Sequence, residues 1–208
     1  HGFPVVSPIV QQTRYVDFDL YYVFGEAISR HHYGPKWPKE MRIKAINSFG
    51  LSRSRLHELS PESLKNDIFC VLSWNPIPWN TFEALRSIAN AFPDRKVILT
   101  TKARQRRGPY GKILDGFLSD CPENIEEFTG DTYALFNRCK YLVSEPSTLV
   151  LEGIQFGTYV FALELPPKWA ALTLNEFPEL CLRSADEAID RIRSLEDGSW
   201  KYPRHLYK

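Results

Sequence analysis

Short apolar runs closed by turn formers alternate along this chain with stretches whose apolar residues recur at helical spacing. Residues 20–24 (LYYVF), 43–49, 68–73 (IFCVLS), 97–100, 125–128, 141–143, 159–163 and 180–182 have the length and the β-branched or aromatic content of strands. Between them, Phe82, Leu85, Ala89 and Phe92 predict a helix capped by Asn80, with Glu83 completing a capping box. Ile113, Leu114, Phe117 and Leu118 predict a second helix, and Tyr133 to Asn137 a short third. Ala188, Ile189, Ile192 and Leu195 mark the last one. Strands alternating with helices predict a parallel, doubly wound, Rossmann-like α/β sheet.

The chain is organised around residues 140–163, KYLVSEPSTLVLEGIQFGTYVFAL. Tyr141-Leu142-Val143 and Tyr159 to Leu163 read as strands buried on both faces. Between them Ser144-Glu145-Pro146-Ser147-Thr148 supplies helix-start signals, with Pro146 at the first helical position, Leu149, Val150, Leu151 and Ile154 an apolar face, and Gly157 a C-terminal cap. In such a β-α-β unit the backbone N–H groups of Ser147, Thr148 and Leu149 would point beyond the strand end, where a phosphate could sit. The same pattern also serves as plain architecture in sheets that bind nothing.

Length and composition narrow the class. With 208 residues, 43% hydrophobic and 25% charged, the chain suits one large soluble domain or a domain with an attached piece. A net charge of +1 argues against a dedicated nucleic-acid surface. Neither a membrane-spanning run nor a signal-peptide pattern is present. Cys70, Cys121, Cys139 and Cys181 form no CxxC pair and read as reduced thiols. We divide the chain into a connector (1–16), a Rossmann-like domain (17–197) and an aromatic, basic tail (198–208). The opening His1 and the stretch HGFPVVSPIVQQ lead us to expect an upstream domain.

Candidate chemistry is sparse. Asp17-Phe18-Asp19 is a D-x-D pair whose carboxylates could share a strand face and hold a metal. It precedes the first strand, however, and reads better as solvated carboxylates, so we expect no metal site. His31, His32 and His57 lack metal-ligand spacing. The P-loop, G-x-G-x-x-G and G-x-S-x-G motifs are absent. Lys102 follows the strand at 97–100 and is placed to meet a phosphate or carboxylate at its carboxyl end. A solvated basic loop is the competing reading for Arg104, Arg106 and Arg107.

Taken together, these pieces resemble the C-terminal, nucleotide-sugar-binding half of a two-domain GT-B glycosyltransferase. The bacterial enzymes that build capsule, O-antigen or teichoic-acid polysaccharides are the nearest in look. His1-Gly2 resembles the HG that ends the N-terminal domain, and DFDLYYVFGE (17–26) the strand opening the second. FGLSR (49–53) is similar to the turn after the next strand. Residues 142–157 are similar to a strand followed by S-x-x-S-T-x-x-x-E-a and a glycine. Retaining members often separate two glutamates by seven residues. Here Glu145 and Glu152 have six between them, and Gly153 stands where the family has alanine.

The resemblance implies that Ser147 and Thr148 hold donor phosphate and that Glu152 reaches the nucleotide ribose. It also implies donor-binding roles for Gly25, Glu26, Ser73, Trp74, Glu145 and Pro146 beside Lys102, and a catalytic acid/base role for His1. The implied activity is metal-independent, cofactor-free transfer of a sugar from a nucleotide-sugar donor to a growing surface glycan. It would need the upstream domain and would take place in the cytoplasm, or at the inner membrane face in a full-length enzyme. A polyol-phosphate transferase, a nucleotide-sugar 2-epimerase-like enzyme and a non-catalytic nucleotide-binding module stay open on the same fold.

Overall fold

The computed structural model describes residues 19–23, 40, 42–45, 65–71, 79–101, 106–107, 109–145, 147–163 and 178–203. Near the start of the chain, β1 (Leu20–Val23) and β2 (Arg42–Ala45) pair in parallel with each other as a two-stranded sheet. The main sheet contains β3 (Asp67–Val71), β4 (Val97–Thr100), β5 (Ile125–Phe128), β6 (Cys139–Ser144), β7 (Tyr159–Leu163) and β8 (Cys181–Leu182). All of its pairings are parallel, and the spatial order is β5-β4-β3-β6-β7-β8. The helices are α1 (Trp79–Ala91), α2 (Pro109–Ser119), α3 (Thr148–Gln155) and α4 (Ala185–Glu196), with 3₁₀ turns at Thr132–Asn137 and Pro178–Leu180.

Period-2 alternation explains how the layers form. Side chains of successive strand residues point to opposite faces, so the buried runs of β3, β4, β6 and β7 feed two cores at once. Ile68, Cys70, Leu99, Tyr141, Val143 and Phe161 face α1, α2 and α4, where Leu85, Ile88, Leu114 and Ile192 meet them. Phe69, Val71, Ile98, Leu142 and Val160 face the other way, against Leu135 and Phe136 of the 3₁₀ turn and Val150 of α3. Each such side chain contributes about 1.5–3 kcal/mol by leaving water. The chain therefore has a doubly wound, Rossmann-like α/β fold.

Both sheet edges are blunted, as exposed pairing edges must be. β5 carries Glu126 and Glu127, while β8 pairs only with Ala162 and Leu163. Where β8 gives out, the Tyr202 hydroxyl accepts from the Val160 N–H and donates to the Val160 carbonyl, both at 3.0 Å. The segment after α4 thus folds back on the sheet, with Tyr202 edge-on to Tyr159 and Phe161.

One local expectation changes, and one departure from the motif finds its reason. Helix α1 begins at Trp79, so Asn80 sits inside its first turn and not at the cap. The residue in the alanine position of the helix motif, Gly153, is buried; a Cβ there would lie 2.9 Å from Val160 Cγ2 and 3.1 Å from Phe136 Cε1. Close helix–sheet approach outweighs the weak helix propensity of glycine at this site. Gly157 does end α3, at φ +72°. Its N–H donates to the Ile154 carbonyl and that of Thr158 to the Gly153 carbonyl, a Schellman cap.

Candidate functional site

Chain connections leave β3 and β6 toward opposite edges of the sheet, so a crevice opens between their carboxyl ends, where open α/β sheets bind ligands. On its two sides stand the starts of α1 and α3. The strand ends are tied together. Buried Ser144 Oγ lies 3.2 Å from the carbonyl oxygen of Val71 and 2.7 Å from that of Glu145. Its single proton serves one of them at a time. The next residue, Glu145, accepts a hydrogen bond through Oε1 from the hydroxyl of Thr81 in the first turn of α1. Tyr110, at the start of α2, is pushed up to about 12 by burial first and by the Glu145 carboxylate second.

Helix α3 begins at Thr148, two residues after the Pro146 start that the sequence suggested. Ser147 is its N-cap, with extended backbone (φ −147°, ψ 156°), and its Oγ accepts from the Leu149 N–H at 3.4 Å. That bond corrects one expectation: the Leu149 N–H serves the cap, so phosphate binding at this turn would rest on the donors before it. Thr148 is the first helical residue. Glu152, one turn on and half-buried, accepts from the Tyr133 hydroxyl through Oε2 at 3.0 Å. Glu145, Ser147, the Thr148 backbone and Glu152 are therefore strung along one strand end and one helix start. His1, Gly25, Glu26, Ser73, Trp74, Lys102 and Pro146 lie outside the described residues, as does Asp17.

The basic loop divides. Arg106 donates to both carboxylate oxygens of Glu127, through Nε to Oε1 at 2.8 Å and through Nη2 to Oε2, and it also pairs with Asp115. Thr101 Oγ1 adds a further bond to Glu127 at 2.5 Å. Burial alone would raise the Glu127 carboxyl, but the hydrogen bonds from Arg106 and Thr101 outweigh it and hold the group below its ordinary value. Arg106 is thus a structural cation that fastens the start of α2 to β5, while Arg107 is exposed. Lys102 and Arg104 lie outside the described residues.

Among the described residues no group of His, Cys, Asp or Glu is arranged to hold a metal ion. Asp19 is exposed, and its carbonyl accepts from the Arg42 N–H at 3.3 Å. An open depression of about 500 Å³ lies at the opposite, amino end of the sheet, between Asp67, Asn90, Lys96 and Glu123. Two of the charges that line it are already paired, Asp67 with Arg138 at 2.8 Å and Arg95 with Glu196 at 2.5 Å. It sits at the wrong sheet end for the ligand site of this fold.

Thr81, Tyr110 and Tyr133 were missed from the sequence. Each is separated from its carboxylate partner by other elements, and no local spacing announces the pairing. Their pairings follow from the strand order, which places the ends of β3 and β6 side by side and which the sequence does not display.

No protein-family model matches the chain, and no curated protein sequence matches it. Solved structures do. The glycotransferase of kitacinnamycin matches 85% of this chain and 46% of its own, with 16% identity and a TM-score of 0.51. UDP-GlcNAc 2-epimerase from Neisseria meningitidis, bound to UDP-GlcNAc, matches 91% and 54%, with 11% identity and a TM-score of 0.52. The pneumococcal O-GlcNAc transferase GtfA, in complex with UDP and GlcNAc, matches 95% and 42%, with 12% identity and a TM-score of 0.52. This chain spans about half the length of these structures. The likeness is one of fold: a Rossmann-like α/β domain of the type found in GT-B glycosyltransferases and nucleotide-sugar epimerases.

Proposed function

We propose that the chain binds the nucleotide part of an activated sugar and serves as the donor half of a glycosyltransferase acting on a surface polysaccharide. The observation that carries this reading is the start of α3 at the switch point, capped by Ser147, with Glu152 one turn further along. A positive helix end favours an anion, so the donor's diphosphate would lie against the Ser147 and Thr148 N–H groups. Glu152 would accept from ribose hydroxyls, as a carboxylate is an acceptor only. The fold likeness to enzymes solved with UDP-GlcNAc or UDP supports a nucleotide-sugar ligand.

In transfer, the donors at the helix start would stabilise the departing phosphate, and this stabilisation needs no metal. The base that takes the acceptor's proton would come from an upstream domain or from His1. A nucleotide-sugar 2-epimerase on the same scaffold is the second reading, because such an enzyme matches the fold as well as the transferases do. Product analysis separates the two. Such an enzyme would work in the cytoplasm with its donor, facing a glycan acceptor.

A thermal-shift panel of UDP, GDP, CDP and CMP, each with and without EDTA, tests the proposal. A nucleotide at a hundredfold its Kd stabilises the native state by about 2.7 kcal/mol. For a domain of this size that raises Tm by roughly 5–10 °C. A shift with at least one nucleotide, unchanged by EDTA, is expected. No shift with any of them at millimolar concentration would overturn the proposal.

A further inference from the structure

We infer that Tyr133 is a positioning residue: it fixes the Glu152 carboxylate for ribose and so makes the site prefer ribonucleotides to 2′-deoxyribonucleotides. The inference rests on the nucleotide-binding reading above and adds to it a residue and a specificity. Tyr133 belongs to a different element from Glu152, the 3₁₀ turn that leads into β6. Asp131 caps that turn and accepts from the Tyr133 N–H at 3.1 Å, which sets the backbone from which the ring departs. The ring lies 6.2 Å from Phe136 and 5.9 Å from Phe156, which stack on each other at 4.6 Å. Both phenylalanines are buried to 2% exposure or less. The phenol leans on these two rings, and its hydroxyl donates to Glu152 Oε2 at 3.0 Å.

The helix that carries the acceptor is fixed as well. Gly153, immediately after Glu152, lets α3 approach the sheet so closely that a Cβ would touch Val160, Phe136 and Leu142. The Schellman cap and buried Lys65, whose Nζ donates to the Phe156 carbonyl at 3.1 Å, fix the far end of the helix. With the helix backbone set in this way, the bond from Tyr133 orients the Glu152 carboxylate before a ligand arrives, so binding has fewer rotatable bonds to freeze. A carboxylate has about four acceptor positions, so one bond from a phenol is compatible with further bonds from hydroxyls. A vicinal diol such as the ribose 2′,3′ pair supplies two donors at one carboxylate, whereas a 2′-deoxyribose supplies one. A site built to meet a hydroxyl discriminates strongly against the analogue lacking it, provided its acceptor is held in place.

Titration calorimetry on the 208-residue chain tests this. The probes are UDP, GDP, CDP and CMP, each beside its 2′-deoxy counterpart. Wild type is expected to favour the ribonucleotide by about tenfold or more. In Tyr133→Phe, which keeps the ring packing, that ratio should fall by about three- to tenfold. Glu152→Asp keeps the charge but withdraws it by one methylene from Tyr133, and should narrow the ratio in the same way. A purely structural tie between the 3₁₀ turn and α3 would lower Tm and leave the ratio untouched; that result overturns the inference. Wild type that binds ribo- and deoxynucleotides equally also overturns it. Failure of wild type to bind any nucleotide sinks the proposed function itself, and is thereby distinguishable.

Discussion

Thr81, in the first turn of α1, donates its hydroxyl to the carboxylate of Glu145, 64 residues later in the chain. This bond crosses the crevice where the two halves of the sheet diverge; Thr81 is buried to 6% exposure and Glu145 is half-buried. A bond to a charged acceptor contributes about 1.5–3 kcal/mol. Thr81→Val keeps the shape and removes the donor, so it should lower the urea-unfolding free energy by about that amount. Unaltered stability would mean that Glu145 finds an equivalent partner.

The ion pair at the end of β5 gives a pH dependence. Burial would raise the Glu127 carboxyl, but the bonds from Arg106 and Thr101 prevail, so it titrates lower in the native protein than in the unfolded chain. A carboxyl depressed on folding binds fewer protons in the native state. Its contribution is complete above the unfolded value of about 4.3 and is lost as pH falls through the lower, folded value. Urea unfolding from pH 6 downward should show wild type losing stability across that window. Glu127→Gln should lose less over the same range; superimposable profiles would remove the pair from the account.

Two helical glycines should respond oppositely to alanine. Gly116 in α2 is exposed and a Cβ there meets nothing within 4 Å, so Gly116→Ala should stabilise by about 0.5–1 kcal/mol. At Gly153 the same gain is opposed by overpacking against Val160, Phe136 and Leu142, which typically costs about 1–3 kcal/mol. Gly153→Ala should therefore lower Tm. A rise in Tm would show that the sheet face gives way.

Asn124 tests a clamp at the amino end of the sheet. Its Nδ2 lies 2.9 Å from the carbonyl of Ala89, 3.1 Å from that of Phe92 and 3.0 Å from that of Arg95. Two protons are thus shared among three acceptors around the end of α1. Asn124→Ala should cost about 1–3 kcal/mol. Asn124→Asp replaces the donor with a charged acceptor among three carbonyl oxygens and should cost more than alanine at pH 7, as read by chemical unfolding. The reverse ranking would refute the clamp.

Nucleotide affinity provides the last test. If Glu152 accepts from ribose, Glu152→Ala forfeits charged hydrogen bonds of about 1.5–3 kcal/mol, a tenfold to hundredfold loss. Calorimetric titration at matched Tm should show it. Equal affinities would leave the start of α3 as architecture.

What the sequence determined by itself is local. Val97 to Thr100, Ile125 to Phe128 and Tyr159 to Leu163 were legible as strands because apolar period and turn residues act over a few positions. The Gly157 exit from α3 was legible for the same reason, and so was a helix start within 144–148, though the cap falls on Ser147 and not before Pro146. Period tells which face a side chain takes but not which strand lies beside it. Only the order β5-β4-β3-β6-β7-β8 brings Val71 against Ser144 and Thr81 against Glu145. Only packing commits Arg106 to Glu127 and aims Tyr133 at Glu152. It likewise requires glycine at 153, where a Cβ would meet the sheet. These contacts join residues whose separation in the chain carries no periodic signal, so the candidate site exists in the sequence as scattered polar residues and becomes a site when the strands are ordered.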